Sequence, residues 1–346
     1  MRRLLHRLGP VTLTALLATV GATIAAPSAE PRPTDLRENV RVEQILLDIR
    51  VIDRHGEPIP DLDSDAFRVR IGGADARIVA VDWIPETEAL GATADDLPPL
   101  APTGSIEVVP DPPGRSFVLL FQRHTHPSRA RGMMSMIRRA EEFLSTLGPY
   151  DRVAVAVLDT YLELMADFTE DHDAIREIVL GSVMPYRRTT LIRDDGPSLA
   201  DHLDLAALRD VYSPEHSLLV LGEALRELPG PKTMLYIGWG LGVKIGGRIQ
   251  MRPEYGPALA ALTESRTTVF MLDITEADFH SLERPMIEVA RETGGFYFKT
   301  KYSSYFAMDM VERMVGGRYV LACEVPDVDP GPRVLRIGLI GHRGGQ

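Results

Sequence analysis

Hydrophobic and polar positions change their period twice along this chain. Between Asn39 and Trp83 they alternate. Ile45, Leu47, Ile49 and Val51 face away from Asp48 and Arg50, and Phe67, Val69 and Ile71 alternate with Arg68 and Arg70. A period of two marks half-buried strands. Turn chemistry at Arg54-His55-Gly56-Glu57, Asp63-Ser64-Asp65 and Gly72-Gly73 separates the runs. Residues 39–84 therefore read as a small antiparallel β-sandwich-like domain. Residues 85–115 lose the period in a run of prolines and acids and read as a linker.

From Ser116 strand and helix patterns take turns. Phe117-Val118-Leu119-Leu120-Phe121 is a continuous apolar run, as in a strand buried on both faces. After the polar stretch Gln122 to Ser128, Met133, Met136, Ile137, Ala140, Phe143, Leu144 and Leu147 recur at helical spacing. Asp151 to Val157 predicts a second strand with Tyr161 to Phe168 as its hairpin partner. Leu218 to Leu228 predicts a helix, and Thr233 to Ile237 a strand running into Gly238-Trp239-Gly240-Leu241-Gly242. Further strands are expected at 267–272, from 296, at 319–325 and at 334–340, and helices at 255–265, 282–293 and 306–315. The alternation places an open α/β sheet over 116–325, with 326–346 as a closing strand and tail. In such sheets ligands sit beyond the carboxyl ends of the strands, which makes Gln122 to Ser128 the candidate functional loop.

Composition adds a destination and removes some partners. Arg2, Arg3 and Arg7 precede an apolar run to Ala26 with small residues at its end, so 1–26 is expected to be a signal peptide and 27–38 a disordered lead. The protein is then exported, periplasmic or secreted, with no membrane span after processing. Cleavage would remove three arginines and no acid, taking the formal charge further negative from −11. That balance excludes nucleic acid as an expected partner. Cys323 is the single cysteine, so an internal disulfide cannot form and the core must hold the fold.

The order of these segments resembles the von Willebrand factor type A domain, in the bacterial secreted group that carries a leading β domain. The residues that carry the likeness are Phe117 to Phe121 with the long helix after it, Gly148 to Val155, Pro231 to Ile237, Ile287 to Gly295 and Arg318 to Leu321. The resemblance implies a doubly wound, mostly parallel sheet with helices on both faces. It also implies a Mg²⁺ site built from an Asp-x-Ser-x-Ser loop after the first strand, a later threonine, and an aspartate after the fourth strand. Here Gln122 stands for the first aspartate, His124 and His126 for the serines, and Trp239 for the last aspartate; Thr189 or Thr190 would supply the threonine. A carboxamide and imidazoles replace hard anionic oxygens poorly, so no cofactor is expected.

Two functions are open on this reading. The first is a non-catalytic binding or adhesion-type protein whose crevice of Gln122, Arg123, His124, His126, Thr189, Thr190 and Trp239 meets a protein or cell-envelope partner. In it Trp239 is either an interface anchor or a packing plug. The second is a metal-binding protein or metal-dependent hydrolase with one divalent ion on His124 and His126, completed from Asp194, Asp195 or His202. The glycines from Gly238 to Gly247 carry no Lys-Ser or Lys-Thr pair and no helix opens directly after them, so they read as a mobile loop rather than a phosphate loop, and Asp273 as a structural hydrogen-bonding group at a strand end.

Overall fold

The computed structural model describes residues 42–85, 114–124, 126–184, 190–326 and 335–340. The expected signal peptide, the disordered lead, nearly all of the linker and Thr189 lie outside them. In chain order the elements are β1 (Val42–Ile49), β2 (Phe67–Ile71), β3 (Ala74–Asp75), β4 (Arg77–Pro85), β5 (Ser116–Gln122), α1 (Pro127–Leu144), β6 (Arg152–Leu158), β7 (Leu162–Thr169), α2 (His172–Gly181) and α3 (Pro214–Arg226). They continue with β8 (Lys232–Gly238), β9 (Val243–Ile245), β10 (Arg248–Gln250), α4 (Tyr255–Glu264), β11 (Thr267–Asp273), α5 (Glu283–Glu292), β12 (Tyr297–Lys299), α6 (Ser304–Met314), β13 (Gly317–Pro326) and β14 (Leu335–Leu339).

The central sheet has six strands in the order β12-β11-β8-β5-β6-β7. All neighbours are parallel except β7, which returns antiparallel beside β6. Alternate residues of the buried strands feed two cores. Phe117, Leu119 and Phe121 pack with Met133, Met136 and Phe143 of α1, Ile175 of α2 and Val311 of α6. Val118 and Leu120 face Leu218 and Leu221 of α3, Leu262 of α4 and Met286 of α5. A strand with apolar side chains on both faces needs a helix layer on each, and the doubly wound α/β sheet supplies them. Among the described residues no helix is long and apolar enough to cross a membrane.

The chain's β unit corrects the expected boundary near residue 325. Strand β13 lies between β1 and β4, antiparallel to both, and β14 pairs with β2. Two three-stranded sheets thus enclose Phe67, Val69, Ile71, Tyr319, Leu321 and Cys323. The segment expected to close the α/β sheet instead completes the leading β unit, because periodicity shows that a strand exists and not what it pairs with. Tyr319 fixes the join: its hydroxyl donates to Ile59 O (2.7 Å) and accepts from Leu62 N (3.0 Å). The unit docks against the amino ends of the central strands, where Arg266 grips Asp48 with two hydrogen bonds and Arg50 donates to Thr268.

Candidate functional site

The opposite, carboxyl ends of β5 and β8 open onto a crevice of about 340 Å³. Gln122, Arg123, His124 and Trp239 line it, together with Tyr212, Glu215 and Arg252. The fold therefore brings four of the expected residues together. His126 sits one step outside, at the N-cap of α1. Thr190 is exposed and does not line the crevice.

Gln122 is a clamp. It is 3% exposed, and its Oε1 accepts from the Tyr236 hydroxyl (2.7 Å) and from Trp239 N–H (2.8 Å). Burial first, then the charges of Glu215 and Asp273, push the Tyr236 hydroxyl far above its ordinary range, so it remains a donor. The close approach requires glycine at 238: a Cβ there would stand 2.4 Å from Tyr236 Cε1 and 2.7 Å from Gln122 Oε1. Replacing Gln122→Ala removes the acceptor of the Trp239 amide and the short bond of the Tyr236 hydroxyl, leaving the latter only a long one to Gly240 O, and is expected to cost about 1–3 kcal/mol in urea unfolding.

Trp239 is held from two sides. The Arg129 guanidinium stacks 3.7 Å from its ring centroid, and the His124 ring meets it edge-on at 5.4 Å. His124 Nδ1 accepts from His126 N–H (2.9 Å), which assigns the ring proton of neutral His124 to Nε2. Burial, then the neighbouring Arg129 and His126, lower the His124 imidazole below its ordinary range and favour that neutral form. His126 Nδ1 bonds Ser128 Oγ (2.8 Å), and Arg123 pairs with Asp159 (3.3 Å).

The residues expected to complete a histidine metal site are elsewhere. Asp194 accepts from Thr169 Oγ1 (2.6 Å) and Glu170 N–H (3.0 Å), while Asp195 and His202 are exposed. Among the described residues, the His, Cys, Asp or Glu triplet close enough to share an ion is Asp273, His280 and Glu283, not one with His124 or His126. Asp273, fully buried at the end of β11, accepts from His280 Nε2 (2.7 Å), Tyr297 OH (2.6 Å) and Thr275 N–H (2.9 Å). Lys299 Nζ stands 2.5 Å from Glu283 Oε2 and supplies the local positive charge. Burial alone would raise the Asp273 carboxyl; the bonds from His280, Tyr297 and Thr275 prevail and bring it below its ordinary range.

Two groups escape a reading from sequence. Glu215 follows the Ser213 cap and Pro214 at the start of α3, where an acid looks like an ordinary response to the helix dipole. It is instead 1% exposed, with Oε1 accepting from Gly242 N–H. The glycine stretch also contains an element that the sequence reading did not place: Gly246-Gly247, at φ +57° and +80°, turn the β9–β10 hairpin.

No protein-family model and no curated protein sequence matches this chain. Among solved structures it is similar to a von Willebrand factor type A protein from Catenulispora acidiphila, with TM-score 0.42 and 10% identity over 67% of this chain and 64% of that one. An aerotolerance-related membrane protein from Bacteroides fragilis aligns with TM-score 0.35 and 11% identity over 57% and 98%. The PilB minor pilin from Streptococcus sanguinis aligns with TM-score 0.34 and 10% identity over 60% and 62%. The chain thus spans less than two thirds of the first and third of these proteins.

Proposed function

We propose that this chain is an exported, non-catalytic binding protein that engages a protein or cell-envelope partner at the crevice around Trp239, without a metal ion. The observation that carries the reading is the commitment of Gln122 Oε1 to two internal donors. Mg²⁺ needs several free oxygen ligands, preferably anionic. Where the family resemblance would place the ion, the donor set is one occupied carboxamide oxygen, an indole and an imidazole. Asp159 is paired with Arg123, Asp273 is bound by three internal donors, and the Arg129 guanidinium already lies on Trp239. These residues do not fit Mg²⁺.

The same commitments support binding rather than catalysis. The crevice hydroxyl of Ser213 caps α3 by accepting from His216 N–H (3.2 Å), and His124 Nδ1 is occupied. A half-buried tryptophan stacked on an arginine has the composition of an interface anchor. The apolar leader over 11–26 supports export.

The test is partner binding by the mature chain with and without chelator, beside Trp239→Ala. Binding is expected to survive chelation and to weaken by about tenfold or more in the variant, the scale of a hot-spot residue. Loss of binding on chelation, or one zinc per chain that disappears in His124→Ala, would overturn the metal-free reading.

A further inference from the structure

Among the buried polar atoms of the crevice that make no hydrogen bond within the described residues, one belongs to Glu215 and one to Trp239. Glu215 is 1% exposed; its Oε1 is bound by Gly242 N–H, while its Oε2 is buried with no hydrogen-bond partner among the described residues. Trp239 lines the same crevice, and its indole Nε1 is likewise buried without a partner. One is a charged acceptor and the other a neutral donor. Buried polar atoms without partners are uncommon in folded proteins, and each costs stability unless something else bonds it.

We propose that the crevice receives an arginine or lysine side chain of a partner polypeptide, with the cationic head on Glu215 Oε2 and a backbone carbonyl of the same segment on Trp239 Nε1. This rests on the binding function proposed above and names the chemistry of the occupant. A basic residue in a peptide is the simplest ligand that brings a strong donor and an acceptor together. The crevice volume, about 340 Å³, suits one side chain and its backbone. Trp239 and Tyr212 give aromatic walls for the aliphatic stem and its charge.

Among the described residues no hydrogen bond from the crevice's own cations reaches Glu215 Oε2. Arg123 pairs with Asp159, and Arg252 lies over Tyr212 at 5.7 Å. The chain's formal charge of −11 also draws basic partners at long range. Recognition is then the reverse of a metal-centred one, in which an acidic side chain would complete the site.

The test uses random peptides displayed against the full mature chain, retaining those whose binding falls on Trp239→Ala. Trp239→Phe, which removes Nε1–H and shrinks the indole to a single ring but keeps an aromatic side chain in place, guards against misfolding. The retained peptides are expected to share an arginine or lysine. Replacing it with citrulline or norleucine should weaken binding by about tenfold or more, the loss that follows from leaving a buried carboxylate unpaired. On the Glu215→Gln chain the same peptide should bind about tenfold more weakly, and the replacement should then have little further effect. Trp239-dependent peptides without a basic residue, or two losses that simply multiply, would overturn the cation assignment and leave the binding crevice standing. Finding no Trp239-dependent peptide would overturn both.

Discussion

Replacing Asp273→Ala is expected to lower unfolding stability by about 3–5 kcal/mol, the cost of breaking a buried, hydrogen-bonded charge cluster. The carboxylate sits fully buried at the carboxyl end of β11 and is the common acceptor for His280, Tyr297 and the Thr275 amide. Alanine takes their shared acceptor from those donors, leaving the Tyr297 hydroxyl only the longer bond to Glu283, and removes one of the ties between the sheet and the loop from Ile274 to Leu282. Glu283 would keep Lys299, so the damage centres on Asp273 rather than on the whole cluster. Urea unfolding at neutral pH should show a lower midpoint with an unchanged slope. Asp273→Asn, which keeps the shape and one acceptor oxygen, should lose less. The pH dependence has a fixed sign. The folded carboxyl lies below its ordinary 3.8, so its contribution is fully present above that value and fades as pH falls through the folded one. The stability gap between wild type and Asp273→Ala should therefore narrow below about pH 4. A gap that stays constant into acid would show that the carboxylate's charge contributes nothing.

How much of this molecule can be read from the chain depends on the range of the interaction concerned. Phe117 to Phe121 form a strand with every side chain at 0% exposure, as a continuous apolar run requires. Phe67, Val69 and Ile71 are buried between exposed Arg68 and Arg70, as a period of two requires. Each of these patterns is local. The pairing of β13 with β1 and β4 joins residues more than two hundred positions apart, and alternation in either partner carries no address for the other. The crevice shows the same limit. Gln122 and Trp239 are found by their place after β5 and β8, because strand ends in an open sheet converge. Glu215 is missed because its burial depends on Gly242, which arrives on another strand end. The Asp273 cluster draws His280, Glu283, Tyr297 and Lys299 from three successive segments with no motif spacing.

At the other end of the sheet, Asp151→Ala is expected to cost about 3–5 kcal/mol by a parallel mechanism. Asp151 is 2% exposed just before β6 and receives four donor groups. Its carboxylate accepts from the amide of Arg115 (2.8 Å), the amide of Gly148 (2.8 Å), and Nε and Nη2 of the Arg115 guanidinium (3.1 and 2.5 Å). Arg115 in turn lies 5.2 Å from the Phe117 ring and donates to Val315 O, so this one acid ties the start of β5 to the end of α6. Alanine strands a half-buried guanidinium and two amides. Asp151→Asn keeps an acceptor for the amides but loses the charge opposite Arg115, and should fall between the two. Asp151 and Asp273 stand at opposite ends of the sheet and share no bonding partner. Their losses should therefore add to within about 0.5 kcal/mol in the double variant. A sum that falls clearly short would mean that one substitution already loosens the sheet around the other, and the two ends would then have to be treated as one cooperative network rather than as separate anchors.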